Sequence, residues 1–403
     1  WEEDGDGKAD KSLVFGEDFR EMLTGVAAGI QFHDDEIFLS CAPDLWRLKD
    51  TDGDGDMDEK TSVSRGYGIH IGYAGHDMSG VTIGPDGKIY WSIGDLGVNT
   101  VDQTGKRWAY PHHGAVLRAN PYGTDFEVYA FGLRNPQELA FDAFGNLISV
   151  DNDGDQPGEH ERIVHILEGS DSGWRTYWQF GKYNQPGEDY KIWMDENLHV
   201  PHFEGQAAYL LPPVALADNG PAGLAYNPGT ALGERWKGYF FSSHFSASTS
   251  SSKVRGIKLA PKGASFEVVE DTAISVGIVS TGLSFGPDGA LYIADWLESY
   301  DKKPFGRIWK LDVVDSLKSP LRSTTKQILN EGFGNRSLKE LSHFLENEDM
   351  RIRMGAQFQL VRQNEFQNLQ DVALHSANLL ARIHGIWGLG QLARVNPDRG
   401  VAI

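Results

Sequence analysis

One phrase recurs five times along this 403-residue chain, and it limits the possible folds more than any other feature. Each copy puts apolar residues before a turn rich in Asp, Asn or Gly, and a second apolar strand after it. The copies are "GIQFHDDEIFLS" from Gly29, "GVTIGPDGKIYWS" from Gly80, "ELAFDAFGNLISV" from Glu138, "GLAYNPGTALGERWKGYFFSS" from Gly223 and "GLSFGPDGALYIAD" from Gly282. Aligned at the turn, Asp35 to Gly87 spans 52 residues, Gly87 to Gly145 spans 58 and Gly229 to Gly289 spans 60. Gly145 to Gly229 spans 84 and holds an insertion around "QPGEDYKIWMDENLHVPHF". Units of this length predict a β-propeller, because a four-stranded blade buries both faces only between neighbours. An irregular β-sandwich is the competing arrangement, and it gives no reason for one phrase to recur. Residues just ahead of each phrase then face the channel mouth. His76, in "YAGHDMSG", is one of them; taken alone it reads as a turn-closing histidine hydrogen-bonded to backbone.

The 47 glycines and 11 tryptophans suit an all-β body rich in tight turns. After about Asp315 the apolar spacing becomes helical in "SLKELSHFLENEDMRIRMGAQFQLV" and "DVALHSANLLARIHGIWGLGQLARV", with Arg353 and Arg382 opening similar phrases 29 residues apart. The expectation is therefore a propeller over 1–314 and HEAT-like helical repeats over 315–403, in an array that stops short of a cap. A formal charge of −20 leaves no basic surface for nucleic acid. The single cysteine, Cys41, excludes an internal disulfide, a CxxCH haem attachment and a cysteine-based zinc site within the chain. No apolar run is long enough for a transmembrane helix, and the start at Trp1 without methionine reads as a mature or trimmed fragment.

Three loops are acidic at alternate positions. "DTDGDGDMDE" carries Asp50, Asp52, Asp54, Asp56 and Asp58, "EEDGDGKAD" carries Glu2, Asp4, Asp6 and Asp10, and "DNDGDQPGEHE" carries Asp151, Asp153, Asp155 and Glu159. Carboxylates curled around glycine-permitted turns suit calcium, which takes six to eight oxygens. The twelfth loop position is Thr61 in the first loop and Leu13 in the second, so neither is a full EF-hand. A solvated acidic turn is the alternative.

"GHDMSGVTIGPDGKIYWSIGDLGVN", "YAFGLRNPQELAFD" and "SGWRTYW" resemble successive hallmarks of the soluble quinoprotein glucose dehydrogenase and sorbosone dehydrogenase superfamily. "WEEDGDGKAD", "DTDGDGDMDE", "KGYFFSSHF" and "FGPDGALYIADWLE" resemble the large dehydrogenases of Planctomycetes and Bacteroidetes, described as membrane-bound, which join such a propeller to HEAT repeats and often to a cytochrome c. The resemblance implies a six-bladed propeller whose first blade is incomplete here, oxidising a sugar or polyol hydroxyl with pyrroloquinoline quinone (PQQ) and Ca²⁺. It implies His76 as general base, Arg134 as electrostatic stabiliser and Asn135 beside the cofactor, with Asp151 and Glu159 in the segment holding calcium. A cytochrome c outside this chain would accept electrons, and the setting would be periplasmic, secreted or surface-anchored. The later blades depart from the family: His244 and a serine-rich loop stand near an expected lysine, and Ser280 and Thr281 precede a strand where arginine is expected. Two other readings follow from that departure. One is a calcium-braced propeller binding a glycan or protein without redox activity; the other is a quinone-free hydrolase or lyase using the same site.

Overall fold

The computed structural model describes residues 6, 8–68, 75–152, 160–175, 202–206, 211–218, 220–246, 248–297 and 306–395. Glu2, Asp4, His70, Asp153, Asp155, Glu159 and most of the expected insertion lie outside these residues. Within them the chain is a β-propeller of five blades followed by a helical segment.

Blade one is an antiparallel meander of β1 (Ala27–His33), β2 (Glu36–Cys41), β3 (Asp44–Lys49) and β4 (Glu59–Arg65). Blade two runs β5 (Met78–Ile83), β6 (Ile89–Ile93), β9 (Gly114–Ala119) and β10 (Glu127–Leu133). A hairpin of β7 (Val98–Val101) and β8 (Arg107–Tyr110) is inserted in it, and β14 (Ser170–Asp171) adds to its edge in parallel. Blade three is β11 (Pro136–Phe141), β12 (Leu147–Asp151), β13 (Glu161–Ile166) and β15 (Ala215–Ala217). Blade four is β16 (Gly220–Tyr226), β17 (Tyr239–Phe245), β18 (Lys253–Lys262) and β19 (Ser265–Val276). Blade five has three strands among the described residues: β20 (Ser280–Phe285), β21 (Leu291–Asp295) and β22 (Arg307–Leu311).

The five phrases are the five inner hairpins, β1–β2, β5–β6, β11–β12, β16–β17 and β20–β21. Inner strands pack side by side, β1 on β5, β5 on β11, β11 on β16 and β16 on β20. Close approach explains the glycine that opens most phrases. A Cβ on Gly29 would stand 2.3 Å from Ser79 O, one on Gly80 2.7 Å from Glu138 Cα, and one on Gly223 2.9 Å from Gly282 Cα. Apolar clusters fill the wedges between blades: Phe38, Leu45, Trp91 and Leu117 between one and two, Tyr90, Leu139 and Val164 between two and three. No comparable contact joins β20 back to β1 among the described residues, so the ring is open there. Ile30 and Phe32 of β1 and Ile308 of β22 are exposed.

The helical segment comprises α1 (Arg322–Glu331), α2 (Leu338–Phe344), α3 (Met350–Arg362), α4 (Phe366–His375) and α5 (Leu379–Val395). Ser337 caps α2 in a reciprocal capping box with Glu340, and Asp349 caps α3 by accepting from Arg351 N. This segment closes the turn end of the channel by gripping every inner hairpin. Arg362 Nη1 donates to Asp34 Oδ1 at 2.9 Å, Gln357 Nε2 to Pro85 O at 2.7 Å and Arg351 Nη1 to Gly286 O at 2.8 Å. Met350 N donates to Pro228 O at 2.7 Å, and the Trp387 ring lies against Gly145. Backbone carbonyls that tight turns leave unpaired are thus satisfied from the helices. The channel becomes a cup of about 2870 Å³ with its floor on α3 and its mouth where the inner strands begin.

Candidate active site at the mouth of the channel

His76 sits in the segment entering β5, after Gly75, whose φ of +75° turns the chain, and it is 4% exposed on the channel wall. Gln137 Nε2 holds this turn through Gly75 O at 2.9 Å. His76 Nδ1 and Asp95 Oδ1 are 2.8 Å apart. Asp95, fully buried, follows Gly94 at the end of β6, where a Cβ on residue 94 would stand 2.6 Å from His76 O. Asp95 Oδ2 accepts from Trp174 Nε1 at 3.1 Å, and the Arg134 guanidinium lies 5.6 Å from the centre of the Trp174 ring. A carboxylate on Nδ1 fixes that nitrogen as the protonated one and leaves Nε2 as the basic position. Asp95 gave no sequence signal beyond an aspartate in "SIGDLG", which also reads as ordinary turn chemistry. Trp174, the tryptophan of "SGWRTYW", is buried and orients Asp95 through this bond.

Arg134 and Asn135 do come to the mouth, in different ways. Asn135 lines the channel, whereas Arg134 is buried behind it and donates from Nη1 to Asn152 O at 2.6 Å and Asn152 Oδ1 at 3.0 Å. Asp151 is fully buried at the end of β12; its carboxylate accepts from Arg134 N at 3.1 Å, from Asn135 N at 2.7 Å and from Arg162 Nη2. Asp295 has the same place in blade five, accepting from Val279 N, Leu297 N and Trp309 Nε1. These two aspartates therefore clamp the entry segment of their blade to its second strand. Across the mouth the Phe245 and Trp296 rings stack at 5.6 Å with 27° between planes. His244 Nδ1 is bonded to Asp218 O at 2.6 Å, and burial pushes its pKa down.

Of the acidic loops, β3–β4 brings Asp50, Asp52 and Asp58 together, with one oxygen from each within 4.8 Å of the others. The loop is closed from inside: Asp50 accepts from Gly53 N and Gly55 N, and Asp58 from Thr51 N and Oγ1. Asp54 and Asp56 turn to neighbouring backbone, accepting from Asp56 N and Met57 N. Asp6 is exposed and pairs with Lys8, and Asp10 is exposed, so neither joins a carboxylate cluster among the described residues.

The channel wall also carries Asp77 and Glu138. Burial raises Asp77 to about 6 and Glu138 to about 8. A carboxyl raised by folding stabilises the fold below its ordinary range, and that contribution is lost as pH rises through the folded value. For Glu138 the loss spans the ordinary glutamate range up to about 8. Glu138→Gln is expected to match the wild type near pH 5 and to exceed its stability by about 2 kcal/mol near pH 9, channel water screening part of the full effect. Thermal unfolding at the two pH values checks this.

A family described as a domain of unknown function (DUF7133) matches residues 2–171. Quinoprotein glucose dehydrogenase B of Acinetobacter calcoaceticus is 31% identical over 126 residues, covering 25% of this chain and 26% of that protein. The chain thus matches about a quarter of the length of this curated relative. Among solved structures, PQQ-bound aldose sugar dehydrogenase of Streptomyces coelicolor is 19% identical over 69% of this chain and 75% of that one, with a TM-score of 0.45. The soluble aldose sugar dehydrogenase of Escherichia coli is 16% identical over 70% and 76%, with a TM-score of 0.43. No helix among the described residues is long and apolar enough to cross a membrane.

Proposed function

We propose that this propeller is a dehydrogenase-like enzyme acting on a hydroxyl of a sugar or polyol, with His76 as general base. The observation that carries the reading is the buried His76–Asp95 pair, 2.8 Å apart, on the channel wall at the mouth. In this reading His76 Nε2 would take the hydroxyl proton and Asp95 would stabilise the resulting imidazolium, while a bound two-electron acceptor of the quinone class would supply the oxidising power. Arg134 supplies a fixed positive charge from behind Asn135 and Asn152.

PQQ itself is a tricarboxylate and needs cations. Among the described residues, Arg307 is the one guanidinium lining the mouth, while Arg162, Arg175 and Arg255 are paired with Asp151, Asp171 and Asp271. Among the described residues the donor set does not fit the cofactor. A second reading, glycan recognition without redox, draws support from the same shortage. The test supplies the protein with neutral sugars and polyols, an uncharged ortho-quinone and a reoxidising dye. Dye reduction that needs both sugar and His76 supports oxidation; sugar binding without dye reduction moves the conclusion to recognition.

The β3–β4 loop is the proposed calcium site, through Asp50, Asp52 and Asp58 with carbonyls and water completing the shell. Ca²⁺ at about a hundred times its Kd is expected to add about 2.7 kcal/mol, a Tm rise of roughly 3–4 °C. Asp50→Ala with Asp52→Ala is expected to abolish the rise in a thermal melt. The open edge of the ring is the proposed place of a sixth blade. Gly282 occupies the close-approach position in blade five, yet among the described residues a Cβ there meets only Ala294 of its own blade, at 3.6 Å. A location outside the cytoplasm and a cytochrome c partner follow from the resemblance and belong to this proposal.

A further inference from the structure

We infer that the mouth is built for an uncharged polyhydroxylated ring seated against Trp296, and that it excludes the acidic quinone. The inference rests on the reading of the mouth as a sugar site and specifies which ligand charge it accepts. Trp296 is 38% exposed on the wall and is backed by the stacked Phe245 ring, which gives a flat apolar platform with a fixed orientation. An aromatic face of this kind suits the C–H face of a pyranose.

The wall carries uncharged polar groups beside Trp296: Asn135, Gln137 and Asn152 present amides, and Ser246 and Thr281 present hydroxyls. Amides and hydroxyls both donate and accept, as sugar hydroxyls do, so they pair without requiring a charge. The acidic groups on the wall outnumber the basic ones near the mouth. Among the described residues, Asp77, Glu161 and Asp295 line it against Arg307, while Arg351 and Arg362 lie at the floor with α3. Burial raises the Glu138 carboxyl to about 8, so at neutral pH it presents an uncharged acid to the cup. A ligand with several carboxylates would enter a cup of its own sign, in a chain of formal charge −20. Low-dielectric walls strengthen that repulsion.

The test is calorimetric titration of the whole chain with D-glucose, D-galactose and D-glucitol, and separately with PQQ in the presence of Ca²⁺. At least one neutral probe is expected to bind saturably. Trp296→Ala is expected to weaken it about tenfold with the melting temperature unchanged, and Trp296→Phe to restore most of the loss. PQQ is expected to give no saturable binding. Saturable PQQ binding overturns the inference; if it also supports His76-dependent oxidation, the dehydrogenase reading stands without it. Sugar affinity unchanged in Trp296→Ala also overturns the inference. Failure of all three neutral probes removes the sugar reading and the inference together.

Discussion

Gly29→Ala is expected to destabilise the propeller by more than about 3 kcal/mol, lowering Tm by roughly 4 °C or more. The added Cβ would lie 2.3 Å from Ser79 O and 2.9 Å from Val81 N, both backbone atoms of the adjoining inner strand. No rotamer relieves such a contact; β1 must move away from β5, opening the wedge packed by Phe38, Leu45 and Trp91. Gly282→Ala is the matched control, because among the described residues its Cβ has only Ala294 Cβ nearby, at 3.6 Å. It should change stability by less than about 1 kcal/mol. If a sixth blade packs on β20 in a longer form of the protein, Gly282→Ala there should cost as much as Gly29→Ala. Thermal or denaturant unfolding of the two variants reads the difference directly.

His76→Ala is expected to lower turnover of a sugar by 10²- to 10⁴-fold, the range for a lost general base. Sugar affinity should change little, since the amide and aromatic walls remain. The imidazole is held by Asp95 on one side of the turn, and Gln137 fixes the carbonyl of Gly75 just before it. The alanine variant therefore removes a proton acceptor and leaves the entry segment anchored. Kinetics of the two proteins on one sugar, with binding measured separately, check both halves of this expectation.

The inner strands were legible because each pairs a crowding-driven glycine or its equivalent with a turn and a second apolar strand, a local pattern that survives in the sequence. Glu138 breaks the glycine pattern and still falls in register, since the Asp142–Asn146 turn and the β12 strand carry the rest of the phrase. The clustering of Asp50, Asp52 and Asp58 was legible in part: alternate spacing brings carboxylates near one another, but the hairpin end decides that Asp54 and Asp56 turn to backbone instead. Asp95 was not legible, because its role depends on a contact 19 residues back and another 79 residues on. Nor was the floor of the cup. Helical spacing identifies Arg351 and Gln357 as helix residues, but nothing in it says that their partners are turn carbonyls of blades five and two. Arg134 shows the same limit, since its residue type suggested a cation facing the site while its geometry puts the charge behind Asn152.

The most direct test of the account is the pH dependence of sugar oxidation by the wild type and by Asp95→Asn, using the neutral sugar that binds best and an uncharged quinone. Wild-type kcat is expected to fall on the acid side as the general base His76 is protonated. Asp95→Asn is expected to lower kcat by at least about a hundredfold with KM little changed, because the asparagine no longer fixes the tautomer or stabilises the imidazolium. Wild-type kcat in Asp95→Asn, with the same pH profile, would contradict the account.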